Sequence, residues 1–289
     1  MRSLVLRSPA KLNLYLKVVN KRPDGYHNLI TLFERIDLCD DIQIRLNRTG
    51  RIRVFCSHPD VPNGSSNIVF KAAQIFKKNY SVKDGADIKI VKRIPVAAGL
   101  GGGSSNAATT LLGLNKLWKL SLNKMILLDY ARKLGSDVPF FVENCSFALG
   151  TERGDYLKRL SLNVKLCHIL VVPKLKVLTR EVFGAFRPPM MNLLTNPSDD
   201  VNILIRALRK NDLSQAGHFL ANDLETTIVR LYPTLSHLKN KIKEFEVPGA
   251  IFSGSGPSFF GLANSLSEAK NLKRILNRRY TRVFVVKTL

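Results

Sequence analysis

The sequence predicts a two-domain α+β protein, and three observations carry that expectation. Its 289 residues exceed what one hydrophobic core usually organises. Apolar residues alternate with polar ones across residues 4–55, then recur at helical spacing from Asn67. A glycine run at 99–103 opens straight onto a further helical pattern. Together these describe a mixed β-sheet with helices on one face, divided into domains 1–155 and 156–289.

In the first stretch, residues 4–6, 12–16, 29–38, 42–46 and 52–55 read as separate strands, with Arg22-Pro23-Asp24-Gly25 a turn among them. Asn67 suits an N-cap, and Ile68, Ala72, Phe76 and Tyr80 behind it share one helix face; residues 88–91 follow as a strand. Ala107, Leu111, Leu114 and Trp118 predict a helix starting near Ser104. Another helix, 124–134, stops at Gly135, and Ser136-Asp137-Val138-Pro139 opens a third with proline in its first turn. Beyond Gly154, residues 166–172 read as a strand and 179–186 as a short helix. An irregular link, 187–197, leads to helices at 201–209 and 214–224. The end alternates: helix 235–245, strands 250–253 and 258–263, helix 267–279, strand 283–286.

Charge is the unusual property, with 45 Lys and Arg against 22 Asp and Glu for a formal +23. Such a field attracts polyanions, and Lys270, Lys273, Arg274, Arg278, Arg279 and Arg282 form the cluster a nucleic-acid binder would show. Yet basic residues run from Arg2 to Lys287 with no zinc finger, aromatic RNA-binding strand or recognition helix. The expectation is a solvated basic surface that draws in small anionic substrates, without a nucleic-acid partner. Cys39, Cys56, Cys145 and Cys167 lie far apart, without a C-x-x-C pair, which indicates neither zinc nor a disulfide framework and suits a reducing cytoplasm. No run reaches the roughly 18 apolar residues of a membrane span, and the N-terminus does not read as a signal segment.

Pro95-Val96-Ala97-Ala98-Gly99-Leu100-Gly101-Gly102-Gly103-Ser104-Ser105 places four glycines in five positions at a helix start. Glycines permit positive φ and close backbone approach, while first-turn amides and the helix dipole attract an anion, so phosphate binding is the natural inference. Glycines that merely pack a turn are the alternative. The P-loop is excluded because no lysine stands between Pro95 and Asn115, and the dinucleotide fingerprint because Ser104 takes its sixth place. H-R-D and D-F-G, the protein-kinase signatures, are absent as well.

What the loop resembles is the second motif of the GHMP small-molecule kinases. Ser8-Pro9-Ala10-Lys11-Leu12-Asn13-Leu14 resembles their first motif and Phe252-Ser253-Gly254-Ser255-Gly256-Pro257-Ser258 their third. Pro23-Asp24-Gly25-Tyr26-His27, Gly135-Ser136-Asp137-Val138-Pro139-Phe140-Phe141 and Asn222-Asp223-Leu224-Glu225 are similar to members acting on a cytidine-diphosphate-linked sugar alcohol. Ala97 and Ala98 stand where relatives can have glycine, and residues 158–221 resemble the family only weakly.

The resemblance implies a GHMP kinase fold with a ferredoxin-like C-terminal domain, ATP as phosphoryl donor and a role in isoprenoid precursor synthesis. It implies Asp137 as general base and Lys11 as the cation that stabilises developing charge. Residues 95–105 would hold ATP, with Gly254, Ser255 and Gly256 closing over its phosphates. Asn13, Tyr26, His27, Thr179 and Phe183 would bind the substrate, Tyr26, His27 and Phe183 at the cytosine. Mg2+ would enter with ATP and take an oxygen from Ser104 or Ser105, no second carboxylate marking a ligand pair. Taken singly, Asp137 also suits a helix N-cap, Lys11 a solvent-facing strand residue, and Gly254 to Gly256 a tight hairpin.

Overall fold

The computed structural model describes residues 2–187, 197–243, 247, 249–277 and 282–289. Its contacts define two compact units built from interleaved segments rather than consecutive halves. The first holds residues 1–10, 38–96 and 101–145, the second 11–37, 97–100 and 146–289.

The long strands β1 (Ser3–Lys21) and β2 (His27–Asn47) contribute residues to both units. Each joins two segments that the sequence suggests are separate strands. Alternation fails as a guide there because both faces are covered: Ala10 through Leu16 are all buried, Lys11 and Asn13 included.

In the first unit, β3 (Ile52–Cys56) runs parallel to β4 (Gly85–Val91), and β4 pairs antiparallel with the end of β2. The register sets Ile42 opposite Ile90, Ile44 opposite Ile88 and Leu46 opposite Ala86, giving a wholly buried face. Helices α1 (Ile68–Asn79), α2 (Gly102–Leu117), α3 (Lys124–Leu134) and α4 (Val138–Glu143) complete the unit. Asn67 Oδ1 caps α1 by accepting from Val69 N at 2.9 Å, and Gly135 ends α3, both as the sequence predicts. Gly113 lets α2 lie close on the sheet, since a Cβ there would come 2.7 Å from Ile44 Cδ1 and 3.0 Å from Leu6 Cδ1.

In the second unit, β5 (Phe147–Thr151) pairs antiparallel with residues 31–34 of β2 and forms a hairpin with β6 (Tyr156–Leu160). Both strands are inconspicuous in sequence, because β5 carries Gly150 and β6 is polar, outward-facing Lys158 and Arg159 lying between half-buried leucines. A four-stranded antiparallel sheet is built from β7 (Cys167–Val171), β9 (Ile251–Phe252), β10 (Phe259–Ala263) and β11 (Val283–Lys287), in the order β11-β7-β10-β9. Its helices are α5 (Thr179–Ala185), α6 (Pro197–Arg209), α7 (Leu213–Phe219), α8 (Glu225–Leu231), α9 (Pro233–Lys243) and α10 (Leu266–Leu276). Phe252, Phe259, Ile169, Val182, Ile228 and Leu272 are among its core.

One sequence expectation fails here. The single helix 214–224 is instead α7, a two-residue strand β8 (Ala221–Asn222) parallel to Tyr15 and Leu16, and then α8. Asn222 breaks the helix because its amide is claimed by other backbone groups, described below. Most of the expected link 187–197, the ends of the helices expected at 235–245 and 267–279, and Arg278 and Arg279 of the basic cluster fall outside the described residues.

The second unit buries one acidic cluster. Glu34 Oε2 lies 2.7 Å from His168 Nε2, and Thr288 Oγ1 donates to Glu34 Oε1 at 2.6 Å while accepting from Leu166 N at 2.8 Å. Glu34 and His168 are both fully buried. Removing the carboxylate strands two buried polar groups, so Glu34→Ala is expected to lower unfolding free energy by about 3 kcal/mol, read as a lower denaturant midpoint.

Candidate active site

The chain enters the glycine run along a braced path in the first unit. Asp40, fully buried at the middle of β2, accepts Arg93 N at 2.7 Å and Ile94 N at 2.9 Å on Oδ1. Its Oδ2 accepts Lys92 Nζ at 2.5 Å and Asn106 Nδ2 at 2.9 Å. Asn106 Nδ2 also reaches Ser8 Oγ at 2.9 Å, and Ser8 Oγ lies 2.8 Å from Ser105 Oγ. Of the two serines expected near a metal, Ser105 is thus turned inward and fully buried, whereas Ser104 is only half-buried. Gly101, at φ +66°, is the N-cap of α2 and supplies no side-chain cap. First-turn amides of α2 therefore keep their capacity for an anion. A Cβ at Gly102 would sit 3.0 Å from Ile94 Cγ2 and 3.1 Å from Lys92 Nζ, so the glycine also admits close packing.

Residues 97–100 belong to the second unit, where all three glycine-family motifs meet. Gly99 has φ +74°, and a Cβ on it would fall 2.2 Å from Ser253 O and 3.0 Å from Gly256 O. Ser253 Oγ donates to Gly99 O at 3.0 Å. Lys11 N donates to Leu100 O at 3.0 Å. The side chain of Lys11 is buried rather than solvent-facing: its Nζ donates to Asn13 Oδ1 at 2.6 Å and lies 5.3 Å from the centre of the Phe33 ring. Asn13 Nδ2 in turn donates to Thr31 Oγ1 at 2.8 Å, and Thr31 Oγ1 to Tyr15 O at 2.8 Å. A Cβ on Gly254 would stand 3.2 Å from Asn13 Oδ1, 3.6 Å from Lys11 Nζ and 3.7 Å from Gly99 O. Main-chain atoms, an ammonium group and two glycines thus share one small space, the furnishing a phosphate needs. The expected hairpin is present too, since β9 and β10 pair antiparallel across residues 253–258.

Sequence reasoning assigned no role to Asn222, Asp223 or Glu225, although their motif is visible. Asn222 Nδ2 donates to Phe252 O at 2.9 Å and Gly254 O at 2.7 Å, and its Oδ1 accepts Leu224 N at 3.0 Å. Glu225 accepts Phe252 N at 2.9 Å and Lys239 Nζ at 2.5 Å. Asp223 accepts Val18 N at 2.9 Å, and burial pushes its carboxyl above the usual range despite that bond. All three carboxylate and amide groups brace the third glycine loop or the strand beside it. Asp40 was missed for a different reason: nothing in Leu38-Cys39-Asp40-Asp41 marks one aspartate as buried.

The expected base pocket lies in the second unit. His27 and Phe183 face one another with ring centroids 5.5 Å apart and planes tilted by 32°, and Phe186 meets His27 edge-on at 6.2 Å. A base would stack between His27 and Phe183 only if these rings parted. Burial, and then the nearby Lys21 charge, hold the His27 imidazole below its ordinary value. Tyr26 is 55% exposed, and its ring lies 5.2 Å from the Arg153 guanidinium. Thr179 opens α5, one turn before Phe183, and its Oγ1 lies 2.8 Å from Ser255 Oγ in the third glycine loop.

Asp137 occupies the N-cap position of α4 in the first unit, yet its side chain makes no capping hydrogen bond. The capping alternative therefore does not account for it. Among the described residues no group of three His, Cys, Asp or Glu could hold a metal ion. A cation held mainly by phosphate oxygens, with a single hydroxyl from Ser104, fits this donor set better than a protein cage. The four cysteines are free, and no described helix is long and apolar enough to cross a membrane.

Comparison with known proteins identifies the family. The family described as GHMP kinases N terminal domain matches residues 67–144, and GHMP kinases C terminal matches residues 204–282. The chain is 38% identical over 280 residues to the 4-diphosphocytidyl-2-C-methyl-D-erythritol kinase of Pelotomaculum thermopropionicum, covering 96% of each. It is 41% identical over 270 residues to the enzyme of that name from Geobacter metallireducens, covering 93% of this chain and 92% of the relative. A crystal structure of 4-(cytidine 5′-diphospho)-2C-methyl-D-erythritol kinase superposes with a TM-score of 0.81 at 32% identity over 98% of both chains.

A methyl group at Gly99 would collide with the carbonyl of Ser253 in a backbone conformation that L residues rarely adopt. Gly99→Ala is expected to raise the KM for ATP at least about tenfold while circular dichroism stays native, the loop yielding before the core.

Proposed function

We infer the reaction from membership: the chain belongs to the GHMP kinases and, within them, to the 4-diphosphocytidyl-2-C-methyl-D-erythritol kinases. It phosphorylates the 2-hydroxyl of 4-diphosphocytidyl-2-C-methyl-D-erythritol with ATP, a step of the non-mevalonate route to isoprenoid precursors. The observation that carries the reading in structural terms is the meeting of Lys11, Gly99 and Gly254 around one space.

In this reading the main-chain amides of residues 99–105 hold the ATP phosphates, and Gly254, Ser255 and Gly256 close on them. The remaining loop residues, Pro95 to Ala98, shape the approach to that turn. Magnesium, when bound, neutralises phosphate oxygens, and Ser104 is the hydroxyl that would hold it. Asp137 accepts the proton of the substrate 2-hydroxyl as that oxygen attacks the γ-phosphorus. The bond from the γ-phosphorus to the bridging oxygen breaks, and ADP leaves with its electrons. Lys11 Nζ offers a fixed positive charge to the oxygens that gain charge in this step. Its bond to Asn13 Oδ1 points the ammonium group.

On the substrate side, His27, Tyr26 and Phe183 recognise the cytosine, one ring surface from α5 and one from the start of β2. Asn13 and Thr179 stand nearer the sugar alcohol. Their present bonds, to Thr31 and Ser255, hold both side chains in fixed rotamers for that purpose.

Two measurements test the reading. ATP consumption is expected to depend on 4-diphosphocytidyl-2-C-methyl-D-erythritol and to be absent with mevalonate or homoserine; equal turnover of either would refute the substrate assignment. Asp137→Asn is expected to keep ATP affinity near normal and lower kcat by about a thousandfold. Retained turnover in that variant would remove Asp137 from the base role.

A further inference from the structure

We propose that the first unit carries a second binding site, separate from the glycine loop, for a small organic phosphate with a flat or apolar body, of mononucleotide size. Three turns enclose it: the end of β2, the link from α1 to β4, and the segment after α2. The cavity is about 620 Å³, within the range of roughly 300–1,000 Å³ typical of small-molecule sites.

Charge argues for an anion. Arg2, Arg48, Lys83 and Lys119 line the cavity against one carboxylate, Asp84. All four cations are exposed, and among the described residues none forms an ion pair. Three other cations of the same unit do find carboxylates: Arg45 and Arg53 both reach Asp87, and Arg93 reaches Asp41. Lys119 follows the C-terminus of α2, where a cation complements the helix dipole. That explanation does not reach Arg2, Arg48 or Lys83, which come from three other segments. Convergence of four unpaired cations on one concavity is what a phosphate would require.

The wall argues for a flat or apolar body. Tyr80 and Trp118 line it, both held in an aromatic cluster with Phe76 and Tyr130. Trp118 Nε1 is shielded from solvent and has no hydrogen-bond partner among the described residues, so it is the ring surface that the cavity meets. Lys119 and Ser121 hold left-handed backbone at φ +55° and +54°, a conformation that costs about 1 kcal/mol for residues with a Cβ. The site sits at the far end of α2, a helix of 16 residues spanning about 24 Å from the glycine loop.

Trp118 is the only tryptophan in the sequence, so fluorescence excited selectively at tryptophan reports this cavity alone. Adenosine 5′-monophosphate is the probe, with inorganic phosphate as the bare anion. The expected result is a saturable change in emission with the nucleotide and at least tenfold weaker binding of phosphate. The double variant Arg48→Ser, Lys119→Ser should weaken the nucleotide at least tenfold, both positions being exposed and outside the core. Gly99→Ala, which disturbs the ATP loop, should leave this titration unchanged. No saturable change would overturn the proposal, as would an equal response in the double variant or a response lost in Gly99→Ala. Phosphate binding as tightly as the nucleotide would overturn the assignment of a ring or apolar body.

Discussion

Four donors converge on the carboxylate of Asp40, and the path of the chain on either side of the glycine run depends on that convergence. Taking a carboxylate and an ammonium group out of water costs several kcal/mol for each ion. Here the cost is offset by two main-chain N–H groups, the Lys92 ammonium group and the Asn106 amide, each a charge-assisted bond. The geometry has a consequence beyond stability. Residues 92–94 are the last before the loop, and Asn106 lies in the second turn of α2, so one buried anion fixes both flanks of the glycine run.

The second unit solves the same problem with a different side chain. Residues 252–254 have few partners of their own, because a two-residue strand cannot hold a loop. Asn222 supplies a bidentate amide to two of their carbonyls, and Glu225 takes the Phe252 amide. This is why a helix that looks continuous in sequence breaks at 220–224. An amide spent on neighbouring strands, and a strand pairing at Ala221 and Asn222, are worth more than two further turns of helix. Local propensity lost to tertiary demand at a place that braces the third glycine loop.

Much of this was legible beforehand. Helix α3 and its stop at Gly135, the cap at Asn67 and the loop-to-helix junction follow from residue types whose physics is local. Membership of the kinase family was legible in the ordered motifs. What escaped was long-range. Continuity of β1 and β2 depends on Lys11, Asn13 and Asp40 being buried, and a sequence shows a polar residue without showing its partners. The hairpin at 147–160 escaped because its strands are short and one side of β6 faces water. Among site residues, Lys11 and Asn13 were identified by motif and are held together in the second unit. The paired bond of Thr179 with Ser255, by contrast, joins hydroxyls 76 positions apart and has no signature in either segment.

Packing accounts directly for Gly99, Gly102 and Gly254, because the space a side chain would take is already filled. At Gly99 the absent Cβ is replaced by the backbone of the third motif, at Gly102 by Ile94 and Lys92, and at Gly254 by Lys11 and Asn13. The close approach brings a second loop to Gly99, the Lys92 ammonium group to Gly102 and the Lys11 ammonium group to Gly254. Ala97 sharpens the argument. It adopts φ +53° without being glycine, in a stretch where the family pattern admits glycine. A strain of about 1 kcal/mol is tolerated there, at a position that is exposed. At Gly99 the same methyl would displace Ser253, and with it the contact that joins two motifs.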